Sequence, residues 1–332
     1  MKQPTVTSYD VARQAGVSQS AVSRAFRDGG SVAPATRARI MESARRLGYQ
    51  PDAIARSLIT RKSGLVAIVI SNLTNLHYPE VLSTLTARLS ERGIRVLLFT
   101  LPNESDIDQA LEELWRYRVD GAIFAARLSG AQIEGLARRG VATVLYNRLS
   151  DEAPVAAVCC EFAAGETMLV DALVRGGAKR FGIIGGPPDS TVGEARVRGA
   201  IERLAAAEID AGTIERGDFS YDGGRAAARR LLDARPLDAI IAANDTMALG
   251  AMDAARIDLG LGVPVDLSVV GFDGVAPARW GAYELTTVRQ PVGRMAAAAV
   301  AMLVERIADP AVGAERRLFS GDLIQGSTAR LA

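Results

Sequence analysis

Ser18, Gln19, Ser20 and Arg24 stand together at the start of one short helical stretch and have the chemistry to read nucleic acid. Hydroxyls and a carboxamide exchange hydrogen bonds with phosphates and base edges, and an arginine one turn along the same face adds a forked donor that suits guanine. Few other groups in the chain offer reactive chemistry. His77 is the one histidine, so a multi-histidine metal site and a histidine-based catalytic triad lose most of their raw material. The two cysteines, Cys159 and Cys160, are adjacent, which suits neither a disulfide framework nor a zinc site. The sequence GGPPDS lacks the continuation that a phosphate-cradling glycine loop needs, and no paired catalytic carboxylates can be argued.

The elements that must position the polar quartet lie within TSYDVARQAGVSQSAVSRAF, residues 7–26. Thr7 or Ser8 caps a first helix by accepting from an orphan amide. Val11 and Ala15 fall four apart on one face, and Gly16 supplies the left-handed turn that glycine adopts without a steric penalty. Ser18 caps a second helix whose buried face carries Val22 and Phe26. Ala12 leaves room for another helix to approach. Alanine, glycine four on and valine six further form the helix-turn-helix spacing, in which the second helix enters the DNA major groove. A helical hairpin of another kind fits the spacing alone; the polar start of the second helix and the basic surroundings favour a DNA reader. A third helix runs from about Pro34 to Leu47, with proline at its first position, Ile40, Ala44 and Leu47 inward, and Gly48 at its end. Ala33 at its cap offers no side-chain acceptor.

Charge supports this division. Residues 1–62 hold eleven Lys or Arg against four acids, a net +7, which leaves −6 for the remainder of a chain whose total is +1. A basic head on a mildly acidic body suits a phosphate-binding module attached to a sensor. At 332 residues and 48% hydrophobic content, several domains with sizeable cores are expected. With no apolar leader and no run long enough to span a bilayer, a soluble, cytoplasmic protein without a membrane partner is expected.

The motifs YDVARQAGVSQSAVSR, TRARIMESARRLGY and PDAIARSL, followed in order by ANDTMALGAM, SVVGFD and LTTVRQP, resemble the lactose-repressor/galactose-repressor family of bacterial transcription regulators over essentially the whole chain. The resemblance implies DNA contacts from Thr7, Tyr9, Ser18, Gln19, Ser20, Ser23 and Arg24. It also makes DAIARSLITRKSG similar to the family's hinge helix, which orders as a pair on operator DNA. There Ala55 and Leu58 meet the minor groove, with Leu58 as an apolar wedge. Ala33 departs from the family's usual serine.

From Leu65 onward, apolar runs (LVAIVI, RVLLF, GAIFAA, ATVLY, RFGII, DAIIAA, SVVGF) alternate with amphipathic helical stretches. Strands without inside–outside alternation, each followed by a helix, predict parallel sheets covered on both faces. The expected fold is α/β: a three-helix helix-turn-helix headpiece (1–50), a hinge (51–63) and a two-lobed periplasmic-binding-protein-like core. Its first lobe is 64–160 with about 290–321 returning; its second is 161–289 with about 322–332.

Ligands in such folds sit at the carboxyl ends of strands, here between lobes. The expected effector set is Asn72, Leu76, Asn147, Arg148, Arg196, Phe219, Asn244, Asp273 and Trp280, with Arg196 assigned from its R-x-x-G context in the resemblance. Aspartate with asparagine and arginine partners offers paired donors and acceptors for vicinal hydroxyls, and Phe219 and Trp280 offer flat faces to a sugar ring. Each has a purely structural alternative: Asn244 and Asp273 as caps, Arg148 as an ion-pair partner, Phe219 as core. An enzyme with a fused DNA-binding head and an exported transport protein are the rival classes. The expected function is a non-enzymatic repressor, free of cofactor and metal. It would act as a homodimer on double-stranded, near-palindromic operator DNA and be relieved by a sugar, sugar acid or polyol.

Overall fold

The computed structural model describes residues 6–26, 31–50, 63–73 and 75–331. The chain divides into two units, 1–63 and 64–332. In the first, helices α1 (Ser8–Ala15), α2 (Gln19–Ala25) and α3 (Pro34–Leu47) enclose a small core of Val11, Ala12, Ala15, Val22, Ala25, Ile40 and Ala44. Its turns follow local chemistry: Gly16 (φ 62°) and Gly48 (φ 64°) terminate α1 and α3 in the left-handed region. Phe26 and Tyr49 close the core edge-to-face, with ring centroids 5.8 Å apart.

The second unit holds two six-stranded sheets among the described residues. One contains β1 (Leu65–Ser71), β2 (Arg95–Leu101), β3 (Gly121–Ala125), β4 (Ala142–Tyr146), β5 (Ala156–Cys160) and β11 (Arg316–Phe319), in the order 11-5-4-3-1-2, all parallel. The other contains β6 (Phe181–Gly185), β7 (Thr213–Arg216), β8 (Ala239–Ala242), β9 (Ser268–Asp273), β10 (Thr286–Arg289) and β12 (Asp322–Ile324), in the order 12-10-9-8-6-7. It is parallel except for β12, which runs antiparallel to β10. Central strands such as β3, β8 and β9 are buried throughout, as their unalternating apolar sequences require. Edge strands β7 and β11 alternate between half-buried and exposed.

Helices α4 (His77–Ser90), α5 (Ile107–Tyr117) and α6 (Gly130–Arg138) connect strands of the first sheet, and α7 (Phe162–Arg175), α8 (Thr191–Ala206), α9 (Tyr221–Ala234) and α10 (Asp245–Asp253) belong with the second. Helix α11 (Val292–Ala308) returns to pack on α4, β4 and β5. The chain therefore crosses between lobes three times: at Glu161, at Gln290 with Pro291, and at Ser320 with Gly321. In each sheet the strand order reverses beside the first strand, at β1/β3 and at β6/β8. The carboxyl ends of those strands therefore border the crevice where α/β proteins place ligands.

Candidate DNA-reading helix and ligand cleft

Helix α2 is held by small polar contacts that also define its outward face. Ser18 Oγ accepts from the Ala21 amide at 3.3 Å and lies 2.9 Å from Ser20 Oγ. The Gln19 carboxamide donates to Ser8 Oγ at 3.2 Å, tying the start of α2 to α1. Thr7 caps α1 through Asp10: its amide and hydroxyl both donate to Asp10 Oδ2, at 3.0 and 2.7 Å. Those donors, with Arg13 nearby, hold the Asp10 carboxyl below its usual range. Tyr9 (68% exposed), Ser18, Ser20 and Arg24 are exposed, and Ser23 is half-buried. Ala55 and Leu58 lie outside the described residues.

The core brings Asn72, Asn147, Arg148, Arg196, Phe219 and Asp273 around one small cavity of about 20 Å³, with His77 and Ser190 among the other lining groups. Four of these have positive φ: Asn72 (54°), Asn147 (53°) and Asp273 (128°) at strand ends, and Phe219 (65°) in the turn between β7 and α9. A bulky residue such as Phe219 adopts that region only where its surroundings enforce it, and such strain clusters at ligand sites. Here the Phe219 ring lies against Gly186, where an added Cβ would fall 2.3 Å from ring carbon Cζ. Asn244 holds the same turn, since its Nδ2 donates to the Phe219 carbonyl at 3.2 Å.

Arg196 reaches in from α8 between the rings of Phe162 and Phe272, with its guanidinium carbon 4.9 and 4.2 Å from their centroids. It donates to the Ala243 carbonyl at 2.6 Å and to Asp273 Oδ1 at 2.7 Å. On the opposite lobe Arg148 is locked to Glu104: Nε donates to Oε1 at 3.0 Å, Nη2 contacts the same oxygen, and Nη1 donates to the Asn147 carbonyl at 3.0 Å. Arg148 thus lines the cavity and is also an ion-pair partner.

Between the lobes sits Gln290. Its Oε1 accepts from Asn147 Nδ2 at 2.7 Å and its Nε2 donates to Asp273 Oδ1 at 2.7 Å. His77 Nε2 lies 3.5 Å from Asn147 Nδ2 and 3.4 Å from Gln290 Nε2. Because both neighbours are amide donors, that nitrogen accepts and the ring proton resides on Nδ1. Burial, the dominant influence, holds the His77 pKa below its usual value. A larger cavity of about 650 Å³ adjoins along the lobe seam and shares Asn147, Arg148 and Val192 with the small one.

Three expected effector residues do not line the small cavity. Asn244 is fully buried, and its Oδ1 caps α10 by accepting from the Met247 amide at 2.9 Å. Leu76 (40% exposed) stands at the start of α4, and Trp280 (59% exposed) follows a short 3₁₀ turn. Gln290 and His77 are the groups sequence reasoning missed. The LTTVRQP motif carries the family resemblance without singling out Gln290, and a lone histidine carries no spacing signal. Among the described residues, no group of three His, Cys, Asp or Glu side chains is placed to hold a metal, and no helix is long and apolar enough to cross a membrane.

Residues 7–52 match the model of bacterial regulatory proteins of the lacI family, and residues 170–329 match the periplasmic binding protein-like domain. The HTH-type transcriptional repressor CytR of Escherichia coli (strain K12) is 30% identical, covering 99% of this chain and 98% of that protein. This chain belongs to the lacI family. Among solved structures, the Lac repressor dimer bound to operator and the anti-inducer ONPF superposes with a TM-score of 0.88 at 27% identity, covering 99% of this chain and all of that one. A complex of the regulator CelR with cellobiose gives 0.74 at 31%, covering 98% and 100%. As a lacI-family member the chain is a DNA-binding transcription regulator and not an enzyme, with the headpiece and two-lobed parallel-sheet architecture of that family.

Proposed function

We propose that this regulator is a repressor that binds a near-palindromic operator as a homodimer in the cytoplasm and is released when a small polyhydroxylated effector occupies the interlobe cleft. The observation that carries this reading is the polar set drawn from both lobes: Asn147 directly follows β4 of one sheet, Asp273 ends β9 of the other, and Arg196 enters from α8. A ligand that meets all of them couples the angle between lobes to the spacing of two headpieces, and it shifts operator affinity by its differential affinity for the two states. A sugar fits this chemistry. Cellobiose in the CelR complex makes sugars the first class to test.

Arg24, Ser18, Gln19 and Ser20 read the operator, with Thr7, Tyr9 and Ser23 at its backbone and the hinge residues Ala55 and Leu58 in the minor groove. The test is a pair of titrations on an operator selected from random duplexes, with effector candidates found by thermal shift. Asp273→Asn keeps the shape of the cleft while removing its charge. It should weaken effector binding by about 1–3 kcal/mol, roughly ten- to a hundredfold, with operator affinity in the absence of effector nearly unchanged. Arg24→Ala should do the reverse, with a loss of about 1–3 kcal/mol at one base position of each half-site. An Asp273→Asn protein that responds to effector like its parent would remove the cleft assignment.

A further inference from the structure

Gln290 is 1% exposed and stands at the middle crossover between the lobes. Its carboxamide is engaged at both ends, taking a hydrogen bond from Asn147 on one lobe and giving one to Asp273 on the other, each at 2.7 Å. Its backbone amide also donates to the Asp273 carbonyl at 3.1 Å. The space beside it that reaches both Asn147 and Asp273 is about 20 Å³, of the order of one water molecule, and the adjoining cavity of about 650 Å³, large enough for a small molecule, is lined by Asn147 but not by Asp273. A ligand that takes over the bonds now made at Asn147 Nδ2 and Asp273 Oδ1 must displace Gln290, while Asp273 Oδ2 makes no hydrogen bond within the protein.

We infer that Gln290 is a built-in competitor for the effector, an intramolecular carboxamide whose displacement sets both the ligand concentration at which the regulator responds and the chemistry of ligand that succeeds. The inference rests on the reading of this cleft as the effector site. The exchange is of like for like: a ligand must offer an acceptor towards Asn147 and a donor towards Asp273. Adjacent hydroxyls of a neutral sugar or polyol do both. A carboxylate at the same place brings a second anion against Asp273 and no proton, so a sugar acid is disfavoured there. Once Gln290 has withdrawn, His77 Nε2 is left as an acceptor for a further hydroxyl.

Two measurements on the full chain test this. Spin labels at Gln109 and Ala226, exposed positions on helices of the two lobes, report the interlobe distance without any ligand. Gln290→Met, of similar length but unable to bridge, should add a second, longer distance population. An unchanged distribution would overturn the competitor role. Calorimetric titration with cellobiose, ribitol and gluconate then reads selectivity. Removal of the competing bridge should tighten neutral probes by roughly three- to tenfold, the scale of one net hydrogen bond, and leave gluconate without a gain. Equal or weaker binding of neutral probes by Gln290→Met refutes the inference. Failure of every neutral sugar or polyol to bind parent and variant alike refutes the effector reading instead, while the distance measurement still decides whether Gln290 joins the lobes.

Discussion

In the headpiece, most of the side chains assigned to DNA face outward and do little for the fold beyond capping; Arg24 and Tyr9 are exposed, and among the described residues the buried core beneath them is seven apolar side chains. In the cleft, the side chains assigned to the effector are buried and already bonded to one another. Asn147, Arg148, Arg196 and Asp273 are each at most 5% exposed, and each is held by hydrogen bonds or ion pairs within the protein. One region presents polar side chains on its surface, several of them bonded only to one another or to the adjoining helix turn. The other offers a partner exchange. Change at an outward headpiece side chain that makes no cap, such as Arg24, should therefore alter recognition with little effect on stability, whereas change in the cleft should move both.

The largest effect expected from this contrast is at Glu104, 4% exposed, whose carboxylate holds the buried guanidinium of Arg148 and accepts from Ser71 Oγ at 3.2 Å. Glu104→Ala strands a buried positive charge and should lower unfolding stability by about 3–5 kcal/mol, read by urea unfolding of the full chain. Arg24→Ala should change it by less than about 0.5 kcal/mol. Similar losses for the two variants would abolish the contrast.

Glu166 tests whether the cleft's surroundings are as tightly determined as its lining. It lies on α7, 1% exposed, with neither carboxylate oxygen hydrogen-bonded, where α7 packs on Gly199 of α8. Burial pushes its pKa up to about 8 from 4.5, with Arg196 opposing the shift. Because the folded value exceeds the unfolded one, the folded state retains a proton that the unfolded state has lost. The associated stability is complete below about pH 4.5 and disappears as pH rises through 8, a change on the order of a few kcal/mol. Urea unfolding at pH 5 and pH 8 should show a steeper decline for the parent than for Glu166→Gln. Asp245, raised to about 7 chiefly by burial, acts in the same direction, so the difference between parent and variant isolates Glu166. His77, with its lowered pKa, acts in the opposite sense and removes stability as pH falls below about 6.5. Parallel declines in the two proteins would mean that Glu166 is ionised when folded.

The two regions were also unequally legible in the sequence. The caps and turns of the headpiece rest on contacts three to five residues apart, so capping, the glycine turns and the Pro34–Leu47 boundaries were readable, as was the missing cap at Ala33. Seven strands announced themselves as apolar runs, whereas β5, with the sequence AAVCC, and the four-residue strands β7, β10 and β11 had too little pattern to stand out. In the cleft, Asn72, Asn147 and Asp273 were visible because strand ends are visible. Their partners were not: Glu104 meets Arg148 across 44 residues and Gln290 meets Asn147 across 143, and no local pattern encodes a contact made only after two sheets have formed.

The smallest effect expected is also the most local. Helix α3 begins at Pro34 with Ala33 in its cap position (φ −54°, ψ 139°) and no side-chain hydrogen bond there, whereas Ser18 caps α2 through the Ala21 amide. Proline removes one orphan donor, which leaves the amides of Ala35 and Thr36 for a cap to satisfy. Ala33→Ser supplies an acceptor worth roughly 0.5–1 kcal/mol, which should slow hydrogen exchange of the α3 amides by about two- to fivefold in the full chain. Because Ala33 is not among the DNA-reading side chains, operator affinity should stay within a factor of about two and exchange in the core should not move. Ser18→Ala provides the opposite case, since that hydroxyl both caps α2 and faces outward, and it should lose headpiece protection and operator affinity together. If Ala33→Ser alters exchange in the cleft strands β4 or β9, stability in the headpiece is coupled to the core, and the division between an exposed reading surface and a self-bonded cleft does not hold.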